Sequence, residues 1–98
     1  MDVRYQLHGI PFEWDSEKAN ANLSKHGVSF ETACGVFFDP FVRVNDDELL
    51  RGELREAVIG MTVDWRLLYV VYVMRAETVR LISARPVTTI ERKQYEDQ

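Results

Sequence analysis

The run Leu67-Leu68-Tyr69-Val70-Val71-Tyr72-Val73 constrains this chain more than any other segment. Alternate residues of a strand point to opposite faces, so a run that is apolar at every position has two faces to bury and belongs mid-sheet, covered on both sides. A chain of 98 residues has room for one core to supply that cover. Strand-forming runs at Phe41 to Val44, Ala57 to Val63, Arg66 to Met74 and Thr78 to Ala84 follow one another, which predicts an antiparallel meander. Phe12-Glu13-Trp14 alternates apolar and polar and predicts one more short strand.

Start and stop signals place the helices. Asp15 is positioned to cap a helix running to about Lys25, and Gly27 to close it. Along that helix Ala19, Leu23 and His26 form one stripe and Lys18, Asn22 and Lys25 another, so one is expected to pack and the other to stay available. Ser29 caps a second helix from Phe30 to about Phe38, apolar around nearly its whole circumference and so mostly buried, and Asp39-Pro40 breaks it. Thr88-x-x-Glu91 is a capping box that opens a C-terminal helix from Thr89 to about Glu96. The expected fold class is α+β: one domain over residues 1–98, in the order β-α-α-β-β-β-β-α. Its antiparallel meander sheet carries two N-terminal helices and one C-terminal helix.

Several function classes drop out. The longest apolar run, Leu67 to Met74, is far too short to span a bilayer, and Met1 to Tyr5 has no signal-peptide pattern, so a soluble cytoplasmic chain with no membrane partner is expected. Cys34 is the only cysteine and sits among apolar residues, which predicts a buried small hydrophobe. His8 has no partner motif and reads as a surface residue, while Trp14 reads as core with base stacking left open by its spacing to Lys18. No Glu-x-x-His, paired-His or clustered-carboxylate pattern offers a metal cage, and nothing suggests a cofactor. The net charge of -4 is unusual for a nucleic-acid binder, so its distribution matters more than its sum. Residues 31–64 hold eight acids against three bases, and residues 65–98 six bases against four acids, which predicts an acidic region and an arginine-rich sheet.

The residues also form a pattern: Phe12-Glu13-Trp14-Asp15, Lys18, Asn22, then Lys25-His26-Gly27-Val28-Ser29-Phe30-Glu31 with Ala33 behind. Arg55 ahead of Ile59-Gly60, the strand begun by Arg66, the segment Val79-Arg80-Leu81-Ile82-Ser83-Ala84-Arg85, and Glu91-Arg92 with Tyr95 continue it. Over about residues 12 to 96 the chain resembles the BrnT family of toxins. The resemblance implies a RelE-like fold, RNA cleavage that arrests growth, and neutralisation by a cognate BrnA-type antitoxin that carries a DNA-binding segment. The partners it implies are RNA and an antitoxin dimer in a hetero-oligomer, with DNA reached only through the antitoxin. The acidic stretch Val44 to Leu54, including Asn45-Asp46-Asp47-Glu48, departs from the pattern and is expected to be a variable loop, and Pro86 stands where a basic residue is expected.

Metal-independent RNA cleavage needs the 2′-hydroxyl deprotonated, charge on phosphorus stabilised and the 5′-oxygen protonated, so the side chains required are basic. Arg66 and Arg85 are the first candidates. A two-residue hairpin at Arg75-Ala76 would set them opposite each other, and two guanidiniums on one face suit a phosphate between them. His26, whose imidazole suits proton transfer at neutral pH, is the acid/base candidate, and Lys25 assists with charge. Lys18, Asn22, Arg80, Arg92 and Tyr95 are the candidate RNA contacts, with Arg80 expected on the face opposite Arg85 because an odd number of positions separates them. Trp65, in a turn, is the candidate antitoxin contact. The rival reading is a non-catalytic binding module in a toxin-like fold, acting mainly as a partner in the antitoxin and operator complex.

Overall fold

The computed structural model describes residues 1–98, the side chain of Asp46 excepted. The elements are β1 (Asp2–Leu7), β2 (Ile10–Asp15), α1 (Ser16–His26), α2 (Phe30–Ala33), a 3-10 segment (Cys34–Phe38), β3 (Arg43–Leu50), β4 (Glu53–Met61), β5 (Leu67–Arg75), β6 (Thr78–Pro86) and α3 (Thr89–Glu96). The six strands form one sheet in the order β1-β2-β6-β5-β4-β3.

The apolar run does lie mid-sheet: β5 pairs with β4 on one side and β6 on the other. Strands β3 to β6 form the antiparallel meander, but β2 joins β6 in parallel, so the sheet is mixed. The helices are not N-terminal either, because the β1–β2 hairpin precedes them. That hairpin turns at His8 and Gly9, both at positive φ, the geometry that matches the twist of its flanking strands. The stretch from Val44 to Leu54 is no loop, since β3 and β4 run through it as a long hairpin that turns at Arg51 and Gly52. Asp46, part of that expectation, lies outside the described side chains.

The helical signals act as read. Asp15 accepts the Lys18 amide, Gly27 closes α1 at φ 68, Ser29 accepts the Thr32 amide, and Thr88 with Glu91 completes the capping box. The second helix tightens from α2 into the 3-10 segment at Cys34, and Phe30, Ala33, Cys34 and Val36 are fully buried. With Phe12, Trp14, Leu68, Val70, Leu81 and Ala84 they make the core on one face of the sheet.

The Arg66–Arg85 pairing fails for a register reason. The two-residue turn is Ala76-Glu77, one position later than expected, and Ile82 bulges out between the pairs Val71–Ser83 and Tyr72–Leu81. Arg85 therefore faces Tyr69.

Sheet and helix layer approach closely at Gly60, because a Cβ there would lie 2.8 Å from both the Cβ and the carbonyl oxygen of Val36. The backbone of a fully buried turn would have to move to admit it. Gly60→Ala is expected to destabilise the fold by roughly 1–3 kcal/mol in urea unfolding, although Ala usually stabilises a strand relative to Gly.

Candidate functional site

The tail of α1 gathers the basic residues. Lys25 and His26 form its last turn, and Gly27 donates its amide to the Leu23 carbonyl at 2.8 Å, leaving its own carbonyl directed outward. Arg66 Nη1 donates to that Gly27 carbonyl at 3.0 Å. A braced turn delivers Arg66 there. The amide of Thr62 donates to the Arg66 carbonyl at 2.9 Å, the Arg66 amide donates to Thr62 Oγ1 at 3.0 Å, and the Thr62 hydroxyl donates to Asp64. Among the described residues no carboxylate pairs with Arg66. One of its five N–H groups is used by Gly27, which leaves donors for an anion.

Arg85 is placed differently. Its guanidinium makes a bidentate pair with Glu91, both contacts at 2.8 Å, and sits 4.3 Å from the centre of the Tyr69 ring. The Glu91 hydrogen bond holds the Arg85 pKa above its ordinary value. Tyr69 alternates with the core-facing Leu68 and Val70, so Arg85 stands on the sheet face away from α1, whereas Arg66 reaches towards α1. The anion-sized spot shared by these two arginines is not formed.

Arg80 is also engaged, with Glu13 at 2.7 Å and Asp2 at 3.1 Å. The bulge at Ile82 returns it to the face of Arg85, which corrects the expectation of opposite faces: Arg80 pairs with Val73 and Arg85 with Tyr69, two alternate positions of β5. Asn22 is corrected more sharply. It is buried, its Nδ2 donates to the carbonyls of Ala84 at 2.8 Å and Val28 at 3.0 Å, and its Oδ1 accepts the Ala84 amide at 3.1 Å. Its polar capacity goes to backbone, so the stripe of Lys18, Asn22 and Lys25 is split: the two lysines are exposed and Asn22 packs. Leu23, expected to pack, is half exposed.

Tyr95 donates its hydroxyl to Asp39 at 2.6 Å, and burial together with that carboxylate pushes its pKa up to about 12. Arg92 is exposed on α3, Trp65 is 84% exposed, and His8 lies at the surface against Phe38. Cys34 is fully buried, and desolvation pushes its thiol up to about 12. Among the described residues no group of three His, Cys, Asp or Glu side chains could hold a metal ion, and no helix is long and apolar enough to cross a membrane. Sequence reasoning missed Glu91 as the partner of Arg85, having read it as half of a capping box and as part of the family pattern. It also missed Thr62, which nothing local distinguishes.

Three comparisons bear on this arrangement. Residues 14–91 match a family model described as the ribonuclease toxin BrnT of type II toxin-antitoxin systems. The fold is similar to the 1.1 Å crystal structure of the Brucella abortus ribonuclease toxin BrnT, with a TM-score of 0.54 and 22% identity over 78% of this chain and 94% of that one. No curated protein sequence matches the chain.

Two carboxylates hold α3 in place, and both titrate below their ordinary values. The Arg85 hydrogen bond lowers Glu91. Burial raises Asp39, but hydrogen bonds from Tyr95, Met61 and Phe41 outweigh it and the net direction is down. A carboxyl depressed on folding contributes stability that is complete above its unfolded value and lost as pH falls through the folded one. Urea stability should therefore drop as pH falls below about 4.5, and Glu91→Gln should cost about 1 kcal/mol at pH 7 and flatten that acid limb.

Proposed function

The chain belongs to the BrnT family of ribonuclease toxins of type II toxin-antitoxin systems, and on that premise we propose that it is a metal-independent endoribonuclease working from the tail of α1. A protein antitoxin is the partner that a type II system implies, and we assign it the BrnA type, acting in a cytoplasmic hetero-oligomer with an antitoxin dimer and reaching DNA only through the antitoxin. The α+β fold with its four-stranded meander is the basis for reading it as RelE-like.

The observation that carries the mechanism is the Arg66 guanidinium at the Gly27 carbonyl, beside Lys25 and His26 and without a carboxylate partner among the described residues. Cleavage proceeds by attack of the RNA 2′-oxygen on the adjacent phosphorus, with the 2′-proton taken up and the bond to the 5′-oxygen broken. His26 handles a proton: neutral, it accepts one from the 2′-hydroxyl, and protonated, it donates one to the departing 5′-oxygen. Arg66 and Lys25 stabilise the negative charge that grows on the phosphoryl oxygens, Arg66 with the greater geometric specificity of its planar fork. Lys18 on the same helix and Arg92 on α3 contact the backbone of the strand.

Arg85 has a secondary part in this reading. Its charge is already matched by Glu91, so it acts on RNA only after that pair opens, and its standing contribution is to fix the first turn of α3. Arg80 and Tyr95 likewise serve structure before RNA.

Cleavage of a single-stranded RNA by antitoxin-free protein in the presence of a chelator tests the assignment. The parent is expected to cut, and Arg66→Ala to cut about 10²–10³-fold more slowly with an unchanged melting curve. Arg85→Ala should lose less activity and more stability. Parent-like cutting by Arg66→Ala would overturn the site, and a parent that cuts nothing would leave the binding-module reading in its place.

A further inference from the structure

A groove on the far side of the Thr62–Arg66 turn has no part in that chemistry. One basin of about 400 Å³ is lined by Phe41, Met61, Val63 and Trp65, and a second of about 310 Å³ by Tyr5, Leu7 and His8. The two share Gly35, Phe38 and Val63, so they form one continuous apolar trough. Its side chains are displayed rather than tucked in: Val63 is 94% exposed, Trp65 84% and Phe41 66%. Trp65 is held at φ 65, a left-handed backbone that a bulky residue adopts only when its surroundings impose it, and the Thr62 hydrogen bonds impose it here.

From this geometry we infer that the trough is the docking site of the antitoxin, and that its occupant is an amphipathic helix with apolar anchors and basic flanks. This deepens the toxin reading and rests on it. The charges at the trough are Glu31, Asp39 and Asp64, with His8 the one basic side chain lining it among the described residues. That acidic border repels RNA phosphates, and a second copy of a chain with net charge -4 would bring the same acids against themselves. A basic-flanked partner is what it complements. Strand addition is blocked at this end of β4, because the Met61 amide already donates to Asp39 at 2.8 Å. Recognition therefore falls to side chains in a trough, which a helix meets with anchors at i, i+3 or i+4, and i+7. The indole of Trp65 is the central anchor of the toxin side.

The trough lies outside the site, but Trp65 and Arg66 are consecutive residues of one braced turn, so an antitoxin anchored on the indole has only that turn to cross before it reaches the α1 side.

Calorimetric binding of the purified full chain to its cognate antitoxin tests this, with urea melting of each variant as the fold control. Val63→Arg puts a cation in the middle of the trough where the apolar anchors must lie, and Trp65→Gly removes the indole while keeping a residue that accepts the left-handed turn. Each is expected to weaken binding at least about tenfold with melting unchanged, and Glu31→Lys to slow association and reduce its salt dependence. Antitoxin-free Val63→Arg should cut RNA at the parent rate yet resist neutralisation. Binding by both Val63→Arg and Trp65→Gly within about twofold of the parent would overturn the proposal. So would sedimentation showing that the toxin alone forms a dimer which Val63→Arg dissolves. A parent that binds its antitoxin through the trough but cuts no RNA would sink the nuclease reading and leave the docking site standing.

Discussion

The carboxamide of Asn22 decides where everything else can sit. Pairing between β2 and β6 covers Val79 and Arg80 and then stops, so the backbone of Ala84 has no strand neighbour on that side. Asn22 takes the neighbour's place, accepting the Ala84 amide and donating to its carbonyl as a strand residue would, and a third bond to Val28 fixes the chain beyond α1. Each of these groups is buried, and leaving one unmet costs roughly 1–3 kcal/mol. The clamp sets the height and roll of α1 against the sheet, which brings Gly27 within reach of Arg66. A helix free to slide by one residue would move its terminal carbonyl about 1.5 Å and break a 3.0 Å contact.

Much of this was legible in the sequence wherever a signal is local. Caps and stops at Asp15, Gly27, Ser29, Asp39-Pro40 and Thr88 depend on a few adjacent residues, and each works as read. The doubly apolar run gave away β5 because burial on two faces leaves a composition that nothing else explains. β1 was also readable, since Asp2 to Leu7 alternates with period two ahead of His8-Gly9, but it lies outside the motif that drew attention. Only the start of β3 was readable, in the run Phe41 to Val44, because its Asn45-Asp46-Asp47-Glu48 stretch has poor strand propensity and pairing with β4 extends the strand past it.

The site was harder to read because it depends on register. A turn one position late and one bulged residue, Ile82, together moved Arg85 away from Arg66, and the bulge put Arg85 on the face of Arg80; neither shift leaves much trace in a sequence. Asn22 shows a second limit: a polar residue between two lysines at helical spacing looks like part of a working stripe until a distant strand claims both ends of its amide. Arg85 shows a third. Its position favoured an anion, and an anion is what it has, but the chain supplies that anion itself through Glu91.

An acidic protein that handles RNA has to hold its positive charge apart from its negative charge. Here the separation is made by pairing as much as by position. Arg75, Arg80 and Arg85 are each matched by a carboxylate, which takes them out of the long-range field, and the α1 tail with Arg66 is one small basic site among the charges not so matched. Such a site attracts phosphate only at short range, so the proposed mechanism requires RNA to lie close already before Arg66, Lys25 and His26 act on it. The acids along the trough complete the arrangement: they disfavour a polyanion on the side of the Thr62–Arg66 turn where Trp65 projects, which fits the proposed approach of RNA from the α1 side. One turn thus separates two surfaces of opposite preference, and the bonds that Thr62 makes keep Trp65 on one and Arg66 on the other.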